Sequence, residues 1–322
     1  MHIFVAAHAV IATIERRGAV SDWIAVTSCP ACGSGHRYGY WPILSDEYEI
    51  GAIEIPFPLG GIGIERCAAC GLFFKNRVPS REFLARAFSG PSTWDDSYNF
   101  YREKRQLRKY FGRRHYSLLD VGAGRGGLLR CVREDASRIS ALDFSDFGAK
   151  HEITGGGEFI EAWIDDSILN FTGEPYDVVT LFDVLEHLYD PDCAFVNLGH
   201  LLAPCGLIII ETGNADWLGR PDKIRDWWYA KLFEHHVFWS LPSIEALAQR
   251  HGFRVVCHAR VRHKTWSEAS AARVGFQIAK VLAHKSAKRL YRATAHRFGI
   301  AAAPYPRSPL PRDHLRIVLA RA

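Results

Sequence analysis

The sequence predicts an α/β protein, with a doubly wound, Rossmann-like sheet preceded by a small N-terminal zinc ribbon. Three observations lead to this fold class. From Ser117 onward, short β-rich runs alternate with helical stretches, which is typical of a sheet covered by helices on both faces. The first run leads into a glycine-rich turn, "LLDVGAGRGGLL" at 118–129. Upstream of it lie two C-x-x-C pairs, a spacing typical of zinc-binding turns.

Length and composition limit the class of protein. The 322 residues are 48% hydrophobic, which suits one large core and a smaller module. The formal charge of +5 is too small to indicate nucleic-acid binding by itself. The apolar run within 1–20 lacks the flanks of a signal peptide, so an ordinary strand or helix, or a misplaced start codon, is expected there. No run reaches the roughly 18 apolar residues of a membrane span, and the cysteine usage predicts a cytoplasmic protein.

The paired cysteines predict a structural zinc site in a ribbon spanning 1–79. Each pair is followed by glycine, in "CPACGS" and "CAACGL", and two such turns bring four thiolates around one tetrahedral ion. The segments "YGYWPIL" and "IGIERC" between them have the composition of a β-hairpin. Four cysteine ligands leave no open position, so the zinc stabilises the ribbon and does not react; a redox pair is the alternative. The predicted ligands are Cys29, Cys32, Cys67 and Cys70.

The segment 80–116 is aromatic and basic and predicts a helical linker to the main domain, which spans 117–322. Two of the strands in that domain, "VVTLF" and "LIIIE", are continuously apolar, as expected for strands buried on both faces. The stretch "SLPSIEALAQRHG" predicts a helix that is capped by Ser240 and ends at Gly252. The predicted strands are "SLLDV", "RISALDF", "EFIEAWI", "YDVVTLF", "GLIIIET", "FRVVCHA" and "HLRIVLA".

Two further features of the main domain lead to expectations. The insert at about 264–303 has an apolar stripe surrounded by lysine and arginine, which indicates an amphipathic helix against the domain or, alternatively, a membrane-surface contact. Four cysteines stand singly in apolar surroundings and are expected to be small core residues. They are Cys131, Cys193, Cys205 and Cys257.

The glycine spacing alone leaves two nucleotides open. G-x-G-x-x-G over 122–127 suits a dinucleotide, whereas G-x-G-x-G over 122–126 suits S-adenosylmethionine. Asp120 precedes the first glycine by two residues and favours S-adenosylmethionine, because its carboxylate would benefit the ammonium group of an aminoacyl ligand. Asp143 ends the next strand, where a carboxylate binds both ribose hydroxyls, and this suits NAD equally well.

The order and intervals of four elements resemble the class I S-adenosylmethionine-dependent methyltransferases over roughly 117–260. The elements are the glycine loop, the strand ending at Asp143, "WIDDSIL" and "YDVVTLFDVLEHLYDP". The resemblance implies a loop around the methionine part, ribose and adenine contacts after the second strand, an adenine contact after the third, and a pocket floor after the fourth. In that order the implied cofactor residues are Asp120, Gly122, Ala123 and Gly124; Asp143 and Phe144; Asp165 with Asp166 as its rival; and Phe182 and Asp183. Glu186 and His187 are expected to shape the following turn.

Transfer of a methyl group to a hydroxyl needs a positioned base, and neutral histidine suits that role. The segment "EHHVFWS" at 234–240, together with the ribbon, resembles zinc-ribbon methyltransferases of bacterial sugar and polysaccharide biosynthesis. The resemblance implies His235 as the base, Glu234 as its orienting group and His236 as a weaker alternative. The sugar C-methyltransferases have tyrosine where this chain has Leu232. We therefore predict O-methylation of a sugar, glycan or related small-molecule acceptor, with C-methylation of a nucleotide sugar as an alternative.

Two other functions stay open. Some ribosomal RNA guanine methyltransferases also resemble a zinc ribbon joined to this fold, and the basic linker would then contact phosphates, although its residues also suit a solvated helix face. A non-catalytic ribbon protein is the other, and the intact glycine loop with Asp120 and Asp143 argues against it. The basic linker residues are Arg102, Lys104, Arg105, Arg108, Lys109, Arg113 and Arg114.

Overall fold

The structure is a computed structural model, and it describes most of the two predicted domains. Among the described residues, no helix is both long enough and apolar enough to cross a membrane. The first 20 residues, the predicted insert at 264–303, and Arg113 and Arg114 of the basic linker lie outside the described part. The described residues are 22–43, 49–50, 53–54, 61–88, 100–112, 116–166, 169, 171–263 and 312–322.

Short antiparallel strands surround the paired cysteines. They are β1 (Trp23–Ala25), β2 (Arg37–Pro42), β3 (Glu49–Ile50), β4 (Ile53–Glu54), β5 (Gly63–Cys67), β6 (Phe73–Lys75) and β7 (Arg77–Pro79). β2 pairs with β5, with Arg37 opposite Cys67, and β5 pairs with β6. The two predicted hairpin segments are thus paired strands, as expected. β1 pairs with β7, and β3 pairs with β4.

The predicted linker contains α1 (Arg81–Phe88) and α2 (Tyr101–Phe111). Leu107 on α2 is fully buried against the main domain. Tyr116, the last residue of the predicted linker, begins the first strand of the large sheet, where its ring is buried in the core.

All seven predicted β-rich runs are strands of one seven-stranded sheet. The strands of this half of the chain are β8 (Tyr116–Val121), β9 (Ala136–Asp143), β10 (Phe159–Glu161), β11 (Tyr176–Phe182), β12 (Leu202–Gly213), β13 (Val237–Phe238), β14 (Phe253–Val261) and β15 (His314–Arg321), of which β13 lies outside this sheet. The order is β10, β9, β8, β11, β12, β15, β14. Within this sheet, β15 runs antiparallel to both β12 and β14, whereas the other neighbouring strands pair in parallel. The composition of a strand does not indicate whether it runs parallel or antiparallel to its neighbours, because that direction depends on the connection that leads into the strand.

Helices cover both faces of the large sheet. Besides α2, they are α3 (Gly127–Val132), α4 (Pro191–Leu201) and α5 (Leu241–Arg250). Leu119 and Leu181 pack into the core shared with α4 and α5, whereas the adjacent Leu118 packs into the core shared with α2 and α3. The predicted cap of α5 is confirmed, since Ser240 Oγ accepts a hydrogen bond from the amide of Ser243 at 3.3 Å.

The ribbon and the large sheet share one core. β13, from the segment after β12, pairs with β6 and places Val237 opposite Phe74. Cys29, Cys67 and Phe74 belong to the same buried cluster as Trp239 and the residues of α4. The predicted boundary at residue 79 therefore separates two parts of the sequence that pack together.

The four single cysteines are not core residues, which corrects the sequence-based expectation. Cys205 and Cys257 are exposed, and Cys131 and Cys193 are only partly buried. Cys205 lies where the pairing of β11 with β12 shifts register, and Cys257 follows a register shift on the edge strand β14. Such irregularities interrupt the alternation of side chains along a strand, so a residue among apolar neighbours in the sequence can still face the solvent.

Candidate active site

The glycine-rich turn joins β8 to α3 at the carboxyl edge of the parallel strands. Gly122, Gly124 and Gly126 have φ values of 69°, 53° and 70°, a region that glycine adopts without steric cost. A Cβ atom on Gly122 would lie 2.5 Å from the side chain of Val184. The positive-φ glycines are thus those of the G-x-G-x-G spacing, while Gly127 begins α3.

Two of the predicted cofactor residues lie beside this turn. Asp143 is buried at the end of β9, where its Oδ2 accepts a hydrogen bond from the amide of Gly124 at 2.8 Å and its Oδ1 accepts one from Phe144 at 2.8 Å. Burial raises the pKa of Asp143 to about 6, although these amides act in the opposite direction. Asp120 is also buried, and its Oδ1 accepts a hydrogen bond from Thr180 Oγ1 at 2.6 Å. The structure therefore brings both carboxyl groups to the loop.

The ring of Phe144 stacks on Trp163, with centroids 4.2 Å apart and planes 5° from parallel. Trp163 follows β10, and the Arg81 guanidinium lies 5.3 Å from its ring centroid. The pair forms a flat aromatic surface of the kind on which an adenine ring stacks. The sequence reasoning missed Trp163, although it is one of the two aromatic residues of the quoted run "EFIEAWI".

The carboxylates of Asp165 and Asp166 have partners within the protein. Asp165 Oδ2 accepts hydrogen bonds from the amides of Tyr189 at 2.6 Å and Asp190 at 3.0 Å, and Arg81 lies 2.8 Å from Oδ1. Burial raises the pKa of Asp165, while Arg81 and the two amides oppose that shift. Asp166 also pairs with Arg81. The assignment of either residue to the adenine amino group stays a prediction. Arg81 already pairs with both carboxylates and would compete with that amino group for them.

Phe182 ends β11 and Asp183 follows it, as the position of that strand predicts. Phe182 is buried beneath the guanidinium of Arg316, at 5.9 Å from its ring centroid. Asp183 has a φ of 56°, and within the described residues it is the non-glycine residue with a positive φ. Non-glycine residues in such backbone conformations are concentrated at functional sites, and the Asp183 carboxylate lies 3.8 Å from His263 Nε2.

His235 is buried in a position that fixes its tautomer. Its Nδ1 lies 2.9 Å from the carbonyl oxygen of Tyr229, and because a carbonyl only accepts, Nδ1 carries the proton. The Tyr229 ring lies 4.0 Å away, and the ring of His187 lies 4.8 Å away. Burial lowers the pKa of His235 well below its usual value, so the ring is neutral and Nε2 keeps its lone pair. The Tyr229 carbonyl therefore orients His235, which is the role that the sequence analysis assigned to Glu234.

Glu234 and His236, the residues on either side of His235 in the sequence, contact other parts of the protein. Among the described residues, neither ring nitrogen of His236 has a hydrogen-bond partner, and the ring packs on Tyr189 at 4.3 Å. Burial lowers the pKa of His236 well below its usual value and raises that of Glu234. The carbonyl of Glu234 accepts a hydrogen bond from His187 Nδ1 at 2.8 Å.

The turn at Leu185–His187 holds this segment in place. The amide of His236 donates to the carbonyl of Glu186 at 2.7 Å. Glu186 is fully buried, and its Oε2 accepts a hydrogen bond from Thr212 Oγ1 at 2.8 Å. The expectation that Glu186 and His187 shape the turn agrees with these contacts.

The ribbon also holds the segment, through Lys75 of β6. The amide of Lys75 donates to the carbonyl of His236 at 2.9 Å, and its Nζ donates to the carbonyls of Leu232 and Phe233. Lys75 is fully buried, which lowers its pKa to about 7 against the opposing effect of Glu234. The ribbon is therefore part of the wall of the candidate active site.

The four paired cysteines converge as predicted, with their sulfur atoms all within 4.8 Å of one another. Cys29 and Cys70 have sulfurs 3.6 Å apart, and Cys32 and Cys67 have sulfurs 3.5 Å apart. A tetrahedral zinc with Zn–S distances of about 2.3 Å places its sulfurs about 3.8 Å apart. The cysteine geometry therefore fits one zinc ion.

Two residues of the basic linker contact the protein itself. Arg108 donates to both carboxylate oxygens of Asp135, at 2.8 and 2.9 Å. Lys104 donates to the carbonyl of Cys131 at 2.8 Å. These contacts favour a packed and solvated helix face over a phosphate-binding surface at this end of α2.

Comparison with known proteins gives the family. A family described as a methyltransferase domain matches residues 92–258, which is more than half of the chain. The ubiquinone biosynthesis O-methyltransferase of Haemophilus ducreyi is 29% identical over 106 residues, covering 30% of this chain and 45% of that protein. The same enzyme from a Caulobacter species is 32% identical over 103 residues, covering 30% and 40%. The chain thus spans less than half the length of these curated relatives.

Solved structures also align with this chain. An S-adenosylmethionine-dependent methyltransferase from Mesorhizobium loti aligns with a TM-score of 0.44 and 15% identity, covering 70% of this chain and 99% of that one.

Proposed function

This chain belongs to the methyltransferase domain family, and on that basis we propose that it transfers a methyl group from S-adenosylmethionine to a hydroxyl oxygen of a sugar, glycan or related small-molecule acceptor. The observation that carries the proposal is the neutral, buried imidazole of His235, whose Nδ1 is bound to the Tyr229 carbonyl at the edge where the glycine loop lies. Its Nε2 is the atom that accepts the acceptor proton.

The cofactor lies on the glycine turn in this proposal. Gly122, Ala123 and Gly124 contact the methionine part, with Asp120 near its ammonium group. Asp143 binds the ribose hydroxyls. Its two oxygens have about four lone-pair sites, so they can accept from ribose while they still accept from the amides of Gly124 and Phe144. Bound S-adenosylmethionine supplies a methyl carbon that its sulfonium has already activated.

The reaction needs alignment and one proton transfer. The acceptor oxygen forms a bond to the methyl carbon as the carbon–sulfur bond breaks, and the bonding electrons go to sulfur. The hydroxyl proton moves to His235 Nε2. The Tyr229 carbonyl, which already accepts from Nδ1, stabilises the imidazolium that forms.

Support for an oxygen acceptor comes from two observations. Leu232 stands where the sugar C-methyltransferases resembled by the 234–240 segment have a tyrosine. The curated relatives named above are O-methyltransferases by description. We also propose that Cys29, Cys32, Cys67 and Cys70 hold one structural zinc, which keeps β6 in place against the catalytic segment.

Methyl transfer from radiolabelled S-adenosylmethionine tests the proposal. The full chain is incubated with separate acceptors: free monosaccharides, nucleotide sugars, a catechol and bacterial ribosomal RNA. We expect label in a hydroxyl-bearing small molecule, recovered as a methyl ether. Label in ribosomal RNA alone, or on carbon in a nucleotide sugar, would contradict the proposal.

A further inference from the structure

Three side chains that can bind a metal ion meet beside the candidate active site. Asp183 follows β11, His263 follows β14, and His314 begins β15. One ligand atom from each lies within 4.8 Å of the others. In the sheet, His314 pairs with Gly213 on one side and Val261 on the other. These three residues, the Asp183 cluster, therefore lie at the carboxyl edge of the parallel strands.

His314 is held as a metal-binding histidine would be. It is fully buried, and its Nδ1 lies 3.1 Å from Asp313 Oδ1. The other oxygen of Asp313 accepts hydrogen bonds from the indoles of Trp227 at 3.3 Å and Trp228 at 2.8 Å. Because a carboxylate with these donors only accepts, Nδ1 of His314 donates and Nε2 is the ligand atom that remains. A carboxylate behind a ligating histidine is the usual support of a metal site.

The remaining atom of His314 is a buried polar group that needs a partner. Its Nε2 has no hydrogen-bond partner among the described residues. Most buried polar side-chain atoms in proteins are hydrogen-bonded or coordinated, so this one calls for a specific explanation. A metal ion at the cluster would satisfy it. The ion competes there with a proton, because Asp313, Asp183 and Glu211 raise the pKa of His314 against the opposing effect of burial.

The other two members are spaced like ligands of one ion. Asp183 Oδ2 lies 3.8 Å from His263 Nε2, which is longer than a hydrogen bond. Two ligands at about 2.0 to 2.2 Å from one ion are separated by about 3 to 4 Å. The His263 ring lies 4.6 Å from the His314 ring and 5.4 Å from that of Trp228, which forms an apolar wall.

We propose that Asp183, His263 and His314 bind one divalent transition-metal ion of the Mn²⁺, Fe²⁺, Co²⁺ or Zn²⁺ class. Two imidazoles and one carboxylate suit these ions, and three protein ligands leave positions open for a further oxygen. The cysteine site has no such open position. The role of the ion rests on the proposed function: it holds the acceptor oxygen and makes its hydroxyl more acidic, while the proton still leaves to His235.

Binding of Co²⁺, followed by visible absorption, tests the site without any acceptor. The full chain is used as purified, after its metal content has been measured. We expect one added Co²⁺ per chain, with d–d bands and without the thiolate charge-transfer absorption of a cysteine site. His263→Ala and His314→Gln should each weaken binding at least about tenfold, and Asp313→Asn should weaken it about 10- to 100-fold. His258→Ala, an exposed histidine on β14, is the matched control and should bind as the native chain does.

The same experiment can overturn the proposal. Absence of Co²⁺ binding outside the cysteine site, or equal binding by the native chain and His263→Ala, would show that the cluster is only an ion-pair network. His263 is partly exposed, so its variant stays informative even if His314→Gln fails to fold. A second group, Glu186, His187 and His235, also has ligand atoms within 4.8 Å of one another. If His187→Ala is the variant that loses Co²⁺ binding, the ion binds at this second group and not at the Asp183 cluster.

Calorimetry with S-adenosylhomocysteine separates this proposal from the proposed function. A chain that binds S-adenosylhomocysteine but no added Co²⁺ refutes the metal site alone. A chain that binds Co²⁺ at the Asp183 cluster but neither S-adenosylhomocysteine nor S-adenosylmethionine refutes the proposed function and leaves the metal site standing.

Discussion

At the scale of single residues, the protonation state of His235 determines which of its ring nitrogens can accept a proton. The Tyr229 carbonyl fixes the proton on Nδ1, and burial keeps the ring neutral. Sequence reasoning identified His235 through its place in a motif, but its orienting group is a backbone carbonyl. Any residue type provides such a carbonyl, so no sequence pattern could have revealed it.

His235→Ala should lower turnover at least about a hundredfold, because removal of a positioned base typically costs 10² to 10⁴ in rate. Affinity for S-adenosylhomocysteine should stay within about a factor of three, since the ring lies on the acceptor side. Turnover is measured with the acceptor found by methyl labelling. His236→Ala is the comparison and should retain activity within about tenfold. If it instead loses more activity than His235→Ala, the base is His236.

The affinity for S-adenosylhomocysteine should depend on pH through Asp143. Burial raises its pKa to about 6 in the folded protein, above the ordinary aspartate value, so the folded chain takes up a proton as the pH falls through 6. Ribose hydroxyls donate to the ionised form. Affinity should therefore be constant well above pH 6 and fall by up to about tenfold per pH unit below it. Calorimetry across this range tests the trend, and Asp143→Asn should abolish it.

At the scale of elements, the ribbon strand β6 is joined to the catalytic segment through β13. Val237 and Phe238 pair with Phe74 and Phe73, and Lys75 binds the carbonyl of His236. The large-sheet strands were predictable, because each is a compact apolar run with its own local signal. The pairing of β13 with β6 was not predictable, because it joins strands of two and three residues that are far apart in the chain.

Cys67→Ser should unfold the ribbon locally, because structural zinc contributes on the order of 10 kcal/mol to such a module. Loss of β6 releases the His235 segment, so methyl transfer should fall at least about tenfold. S-adenosylhomocysteine binding should largely survive. Hydrogen exchange at 73–75 and 237–238, with calorimetry, measures both effects.

Cys205→Ser is the matched control for this prediction, because Cys205 is exposed and lies outside the ribbon. It should leave hydrogen exchange and methyl transfer unchanged. If Cys67→Ser also leaves them unchanged, the ribbon has no part in positioning the catalytic segment.

At the scale of the whole molecule, one buried cluster runs from the cysteine turns to α4 and α5. Arg81, just after the ribbon, reaches Asp165 and stacks over Trp163. The sequence divided the chain into a ribbon, a linker and a main domain, because composition changes at those places. It could not show that Arg81 competes for the carboxylate assigned to adenine, because that contact depends on how the parts pack.

The central claim is that the glycine loop and Asp143 hold S-adenosylmethionine, and calorimetric titration with S-adenosylhomocysteine and, separately, NAD tests it most directly. Asp146→Ala, an exposed residue close to Asp143, is the control and should bind as the native chain does. We expect S-adenosylhomocysteine to bind and NAD not to bind. Each charge-assisted hydrogen bond contributes about 1.5 to 3 kcal/mol, so Asp143→Ala should weaken binding at least about tenfold. Binding of NAD in place of S-adenosylhomocysteine, or unchanged affinity in a folded Asp143→Ala variant, would contradict the claim.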